Sequence, residues 1–274
     1  MPLDLSPDQL LAWYLDAGVD ETVGTAAIDR FAASSRAPER PRPPAAEAAP
    51  AHAVSPVHLV PPLHHTPGHA GAVTGTAAHI AAGCTTLSEL RAALEGFDGL
   101  PLKQSAATTV FADGNPEAAV MCIGEAPGQE EDRQGLPFVG QSGKLLDRML
   151  ASIGLDRTSA YITNVLPWRP PANRKPTPDE VAVCLPFITR HIELVDPQLL
   201  LLFGGAAASA ILARHEGINR LRGRWFEFNS PGLPRPVPAL ATFHPAYLLR
   251  TPEAKRQAWR DLLMARRRLL PASH

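Results

Sequence analysis

Four short, almost uniformly apolar runs limit most strongly how this chain can fold. They cover Ala119–Ile123, Tyr161–Val165, Leu199–Phe203 and Pro238–Thr242. Runs of this length and composition are typical of strands buried on both faces of a parallel sheet. Helical patterns lie between and after them, at about 142–153, 178–195, 205–214 and 252–270. This alternation predicts an α/β protein, a three-layer α/β/α domain with a central four-stranded parallel sheet.

The N-terminal part of the 274-residue chain differs in composition. Residues 1–34 contain one helical pattern, marked by Leu10, Leu11, Tyr14 and Leu15. Residues 35–78 are rich in Pro, Ala and His, so we expect a disordered linker there and the α/β domain over 79–274. Six of the ten His residues lie between His52 and His79. A metal site is the alternative to a solvated linker, but their spacing is irregular and no Cys or carboxylate cluster is near.

Charge and cysteine content exclude several classes of protein. The chain carries 26 basic and 27 acidic residues, which argues against a globally basic nucleic-acid binder but not against a local basic face. No apolar run approaches the roughly 20 residues of a membrane helix, and no secretory signal is evident. Three unevenly spaced Cys residues exclude a disulfide framework and fit a reducing cytoplasm.

Polar candidates follow the predicted strands, where open parallel sheets bind ligands. The first strand leads into Gly124-Glu125-Ala126-Pro127-Gly128 and then Pro137-Phe138-Val139-Gly140. Asn164 lies at the end of the second strand, and Gly204-Gly205 follows the third. His244-Pro245-Ala246-Tyr247 follows the fourth. We therefore expect carboxylates, an aromatic ring, an amide and an imidazole at one edge of the sheet.

These motifs resemble those of the uracil-DNA glycosylase superfamily. Four further segments share the resemblance: Glu131-Asp132, Thr163-Asn164, Arg169-Pro170-Pro171-Ala172-Asn173-Arg174 and Leu248-Leu249. The order and spacing are most similar to its family-four branch, usually described as iron–sulfur enzymes. The resemblance covers about residues 85–270. It implies a glycosylase that removes uracil from DNA.

The cysteines depart from that branch. Aligned by the motifs, the four ligands of its iron–sulfur cluster correspond to Phe97, Leu100, Trp168 and Cys184. Four thiolates normally hold such a cluster, and three of them are replaced here by large apolar side chains that could fill its volume as core. We therefore expect no iron–sulfur cluster, no other metal site and no cofactor.

The resemblance assigns base recognition to three side chains. Phe138 would stack on a base flipped out of the duplex. Asn164 would read its edge, because an amide both donates and accepts hydrogen bonds. His244 would donate to the anion that develops on the leaving base. The alternatives are a core Phe, a turn Asn and a packing His.

The sequence leaves the roles of two acidic residues open. Glu125 and Glu131 would lie near the sugar, where either could orient water or stabilise positive charge, or both could be solvated loop charges. More active branches carry Asp or Asn where this chain has Ala126, so the water-activating residue stays open. Gly124, Ala126 and Gly128 would border the base, the glycines allowing close backbone approach.

DNA contacts are expected around the same edge. Ser142 and Gly143 open a helix whose free N–H groups suit a phosphate, unless Ser142 simply caps the helix. Arg174 and Arg250 belong to local basic groups, and Leu248 is a candidate wedge into the vacated stack.

The predicted function is therefore hydrolytic release of uracil from DNA by a cytoplasmic monomer that associates with the bacterial nucleoid through DNA and with no membrane. Two alternatives remain, a sensor that binds damaged DNA without cleaving it and a flavodoxin-like protein that binds a small nucleotide.

Overall fold

A computed structural model describes residues 67–269. The predicted helix within residues 1–34 and the predicted linker as far as residue 66 lie outside these described residues. No helix among the described residues is both long and apolar enough to cross a membrane.

The domain is built on one mixed sheet of six strands in the order β1-β3-β2-β4-β6-β5. The central four are parallel, as predicted. Two antiparallel edge strands, β1 and β5, complete the sheet and were not predicted. The strands are β1 Asp113–Gly114, β2 Val120–Gly124, β3 Ala160–Asn164, β4 Leu199–Phe203, β5 Trp225–Phe228 and β6 Val237–Thr242.

Ten α-helices are found within residues 67–269. Two of the longer ones begin at a capping box, in which a Thr and a Glu three residues later satisfy each other's backbone N–H groups: Thr86 with Glu89, and Thr177 with Glu180. The helices are α1 Pro67–Gly83, α2 Leu87–Gly96, α3 Leu102–Ser105, α4 Gln129–Gln134, α5 Gln141–Ala151, α6 Pro178–Val195, α7 Gly205–Leu212, α8 Ile218–Leu221, α9 Pro245–Arg250 and α10 Lys255–Leu269.

The core has one part on each face of the sheet, which explains why the strands are uniformly apolar. Successive side chains of a strand point to opposite faces. In β2, Met121 and Ile123 pack into the part that contains α1, α2, α6 and α7. Val120 and Cys122 pack into the part that contains α5, α9 and α10. The predicted three-layer arrangement is therefore present.

Helix α1 corrects the predicted linker. Residues 67–78 were expected to be disordered, but they lie within the helix Pro67–Gly83, which packs against α6. Ala77 and Ala81 are buried in the core, and Ile80 packs against it. Ala has the highest helix propensity, so a segment without charged residues forms a helix once a neighbouring helix buries its small side chains.

The core also contains a buried histidine. His191 of α6 shares a 2.8 Å hydrogen bond with the Tyr161 hydroxyl and stacks on Phe111, the ring centroids being 4.4 Å apart. Burial lowers the pKa of His191 to about 3. The ring is therefore neutral at physiological pH.

The register aligns the carboxyl ends of the parallel strands. Gly124 pairs with Asn164 at the ends of β2 and β3, and Phe203 pairs with Thr242 at the ends of β4 and β6. The segments that follow these residues therefore meet at one edge of the sheet.

Candidate active site

A cavity of about 550 Å³ lies at this edge. Its size is within the range of small-molecule pockets. Most of the side chains that the sequence singled out reach its wall. They are Glu125, Ala126, Gly128, Glu131, Phe138, Ser142, Asn164, Arg174, His244 and Arg250.

Three other candidates lie behind the wall. Gly124 supports the cavity from the strand, because a Cβ there would meet the Asn164 amide oxygen and come within 2.5 Å of Phe138 Cζ. Gly143 is buried, and a Cβ on it would collide with the Phe138 carbonyl. Leu248 is only 1% exposed and belongs to the core, so the prediction that it wedges into DNA is wrong. Helical geometry turns its side chain inward and leaves Leu249 exposed.

His244 is the N-cap of α9 and is held as a neutral hydrogen-bond donor. Its Nδ1 accepts the Ala246 backbone N–H at 3.1 Å, so the hydrogen of the neutral ring lies on Nε2. Burial and, to a smaller extent, the Arg250 charge lower the pKa of His244 to about 4, against the opposing effect of Glu131. At neutral pH the ring therefore offers one N–H donor without carrying a charge.

Asn164 presents its amide to the same cavity. The residue is 6% exposed and lines the cavity at the end of β3. No hydrogen-bond partner for the amide is found among residues 67–269. Within residues 67–269 no side-chain nitrogen or oxygen is both fully buried and unpaired, so the amide is open to the cavity, where it can donate to and accept from a ligand.

Phe138 forms the aromatic wall. Its ring stacks on His244 with centroids 5.5 Å apart and meets Phe203 edge-on at 6.3 Å. The backbone of Phe138 has φ 54°, the left-handed region, which is unfavourable for a bulky residue by on the order of 1–3 kcal/mol. The surrounding structure must therefore hold this loop in place.

Glu131 supplies part of that support. One carboxylate oxygen accepts the backbone N–H groups of Val139 at 2.9 Å and Gly140 at 2.8 Å, and the other accepts Gly128 N–H at 3.1 Å. The carboxylate thus joins the loop after β2 to the loop that carries Phe138. A Cβ on Gly128 would lie 2.7 Å from this carboxylate, which explains the glycine.

Glu125 differs from Glu131 in having a free carboxylate. Among the described residues it makes no side-chain hydrogen bond or ion pair. Burial raises its pKa, and the nearby Lys175 charge opposes that shift. Both features suit a group that interacts with a ligand or with water.

The mouth of the cavity is basic and partly aromatic. Arg174 is exposed but paired with Glu180 through two contacts of 2.6 and 2.8 Å. Arg250 is exposed and has no ion pair within residues 67–269. Tyr247 is 37% exposed and also lines the cavity.

The N-terminus of α5 opens into the same cavity. The N-cap is Gly140, which provides no side-chain cap, so the alternative that Ser142 caps the helix is excluded. Ser142 stands in the first turn of the helix and lines the cavity.

Comparisons with known proteins agree with this geometry. A family model described as "Uracil DNA glycosylase superfamily" matches residues 111–263, which contain all the elements of the cavity. The chain belongs to this superfamily. That membership excludes the flavodoxin-like alternative.

Several curated glycosylases are similar to the superfamily domain of this chain. The type-4 uracil-DNA glycosylase of Archaeoglobus fulgidus is 43% identical over 148 residues, 53% of this chain and 73% of the relative. That of Pyrobaculum aerophilum is 34% identical over 182 residues, 65% and 92% of the two chains. The type-5 uracil-DNA glycosylase of Thermus thermophilus is 28% identical over 172 residues, 57% and 78%.

The positions that the family-four resemblance assigns to an iron–sulfur cluster do not fit one. Phe97, Leu100, Trp168 and Cys184 are all buried in the same part of the core. The Phe97 ring meets Phe187 edge-on with centroids 5.2 Å apart. Within residues 67–269, no group of three or more His, Cys, Asp or Glu residues could hold a metal ion. One thiol among three apolar side chains is not a ligand set for a cluster.

The cavity also has lining residues that were not predicted as site residues, and Lys175 and Tyr247 are two of them. Lys175 follows the Arg169–Arg174 motif, and Tyr247 lies within the His244 motif. Their positions in or next to motifs that supply other cavity residues are the signal in the sequence that indicates them.

Proposed function

We propose that this protein hydrolyses the N-glycosidic bond of uracil in DNA and leaves an abasic site, a step of base excision repair. One observation carries the proposal: the unpaired Asn164 amide and the His244 Nε2–H border the same cavity beside the Phe138 ring. Membership of the superfamily and the similarity to uracil-DNA glycosylases support the same activity.

The base enters the cavity only after leaving the duplex. It stacks on Phe138, while the Asn164 amide donates and accepts along its edge. Uracil presents an adjacent acceptor and donor there, whereas cytosine presents the reverse pattern and leaves the amide mispaired. Asn164 therefore selects uracil.

His244 stabilises the leaving group. Breaking the bond places negative charge on the base, and the Nε2–H donates to an oxygen that carries this charge. Because the pKa of His244 is about 4, the donor is the neutral ring throughout the physiological range.

The two acids have different roles in this proposal. Glu125 orients the attacking water or faces the positive charge on the sugar, because its carboxylate is free. Glu131 is a positioning residue, since backbone N–H groups occupy both of its oxygens. Ala126 has no group that could activate water, which leaves this task to Glu125.

DNA lies across the mouth of the cavity. Arg250 and the N-terminus of α5 at Ser142 bind phosphates, and Arg174 adds positive charge beside them. Leu249, which is 44% exposed, replaces Leu248 as the side chain that enters the vacated stack. We further propose that the protein acts as a monomer in the cytoplasm, on nucleoid DNA, and without a cofactor.

Incubation with a uracil-containing oligonucleotide, followed by alkaline cleavage at abasic sites, tests the proposal. We expect cleavage at uracil, and His244→Ala should lower the single-turnover rate by roughly 100-fold or more. Arg235→Ala is the matched control, because Arg235 is exposed and pairs with Asp196. Binding without cleavage would instead establish the damage sensor. No loss of rate in His244→Ala would exclude its role.

A further inference from the structure

Arg157 lies behind the cavity and outside every motif in the sequence. Its Nη1 contacts Asp113 at 2.5 Å and its Nε contacts Asp147 at 2.9 Å. The same guanidinium donates to two consecutive backbone carbonyls, to Pro137 from Nη1 at 3.2 Å and to Phe138 from Nη2. Arg157 therefore joins β1, α5 and the Phe138 loop, yet it does not line the cavity.

The contacts of Arg157 complete those of Glu131. Arg157 holds the carbonyls of Pro137 and Phe138, and Glu131 holds the N–H groups of Val139 and Gly140. Four successive residues are thus fixed by side chains from two sides. Phe138, with its left-handed backbone, lies within this segment, so the direction of its ring depends on these contacts.

Only an arginine suits this position. A guanidinium is planar and has five N–H donors, so it can reach two carboxylates and two carbonyls at once. The ammonium group of a lysine is a compact point charge with three donors. The two carboxylates come from different elements and fix the plane of the guanidinium, which in turn fixes the carbonyls.

We propose that Arg157 is a positioning residue that holds Phe138 in the orientation required for stacking on the flipped base. The inference rests on the proposed function and deepens it, because it extends base recognition to a side chain that touches neither DNA nor the base. It also predicts that Arg157 acts only through Phe138.

A double-mutant cycle tests this dependence. We expect Arg157→Ala to lower the single-turnover rate of uracil excision by on the order of 100-fold, the effect of misplacing a group by about 1 Å. Arg157→Lys should recover little of it. Because Arg157 acts through Phe138, the double variant Arg157→Ala/Phe138→Ala should excise within about twofold of Phe138→Ala. If the losses of rate in the two single variants multiply in the double variant, the proposal is overturned. A wild-type rate in Arg157→Ala would also overturn it.

Arg190→Ala is the matched control. Arg190 also combines a carboxylate, Glu193 at 2.8 Å, with a backbone carbonyl, that of Cys84 at 2.8 Å, and its side chain is 23% exposed against 26% for Arg157. It lies on α6, away from the cavity. Its loss should lower the melting temperature but leave the rate per folded molecule unchanged.

A measurement without substrate separates this proposal from the proposed function. The Phe138 ring stacks on His244, so it shifts the proton resonances of that imidazole. In Arg157→Ala these resonances should move towards their positions in Phe138→Ala, and in Arg190→Ala they should stay. An inactive wild-type protein would refute the proposed function, and this spectrum would still decide the role of Arg157. If the His244 resonances do not move in Arg157→Ala, Arg157 does not position Phe138.

Discussion

Gly124→Ala offers a direct test of how closely the cavity is built. The new methyl group would come within 2.5 Å of Phe138 Cζ, whereas ordinary van der Waals contact begins at 3.4 Å. The ring and the strand must therefore separate by about 0.9 Å, and the Asn164 amide oxygen must move as well. A single methyl group would thus displace both side chains that we propose to recognise the base.

The displacement predicts a large loss of rate at a moderate cost in stability. A shift of about 1 Å in a positioning group lowers rates by on the order of 100-fold. Overpacking a buried site costs about 1–3 kcal/mol of folding free energy, which most domains tolerate. We expect Gly124→Ala to fold and to excise uracil roughly 100-fold more slowly under single-turnover conditions.

Gly96→Ala adds the same methyl group at the end of α2, where a Cβ has no neighbour within 4 Å, and should leave the rate unchanged. Phe138→Leu in the Gly124→Ala background removes the ring atoms that the methyl group meets. It should recover part of the stability but not the rate, because the clash with the Asn164 amide oxygen remains. If Gly124→Ala alone excises uracil within about threefold of wild type, the base does not lie between Phe138 and Asn164.

Three further predictions concern other parts of the molecule. The purified protein should be colourless and iron-free, because Phe97, Leu100 and Trp168 cannot bind iron; a visible absorbance band with stoichiometric iron and sulfide would contradict this. Asn164→Asp should excise uracil much more slowly at neutral pH, because the carboxylate lacks the hydrogen-bond donor and repels the uracil oxygen. Rates of excision of uracil and of cytosine across pH measure the effect. Protonation of the carboxylate at low pH should restore part of the activity. The pKa of His191 is about 3 in the folded protein and near 6.5 in the unfolded chain, so unfolding takes up a proton between these values. Its contribution to the free energy of unfolding is complete above pH 6.5 and falls by about 1.4 kcal/mol per unit below it. Denaturant titrations should show His191→Gln to be less pH-dependent than wild type between pH 6 and 4, and equal slopes would show that His191 is not buried as a neutral ring.

The central sheet could be predicted because burial on both faces leaves an unmistakable pattern. In β4, Leu199–Phe203, every residue is apolar and fully buried. The edge strands leave no such pattern. β1 has only two residues, and β5 has two half-buried residues followed by one exposed and one buried residue, next to a segment rich in arginine. Helix α1 was missed because Ala- and Gly-rich composition indicates a linker until a neighbouring helix buries it.

The candidate site could be predicted wherever a functional residue directly follows a strand. His244 and Asn164 are found because the carboxyl ends of parallel strands define the site. The different surroundings of Glu125 and Glu131 could not be predicted, since two acids in one loop look alike until their backbone partners are known. Arg157 left no signal at all. Its partners are carboxylates and backbone carbonyls from distant segments. Every residue has a backbone carbonyl, so the residue types in the sequence do not indicate which carbonyls an arginine will contact.

The positions that the family-four resemblance assigns to the cluster lie apart from the cavity. None of Phe97, Leu100, Trp168 and Cys184 lines the cavity. Trp168 nevertheless anchors the segment that leads to Arg174, through its burial and through an indole N–H that donates to the Thr109 hydroxyl at 3.0 Å. Burying a side chain of this size contributes about 2–3 kcal/mol. An apolar anchor of that strength fixes the loop without a metal, so the residues that line the cavity can keep their geometry although cluster ligands are missing.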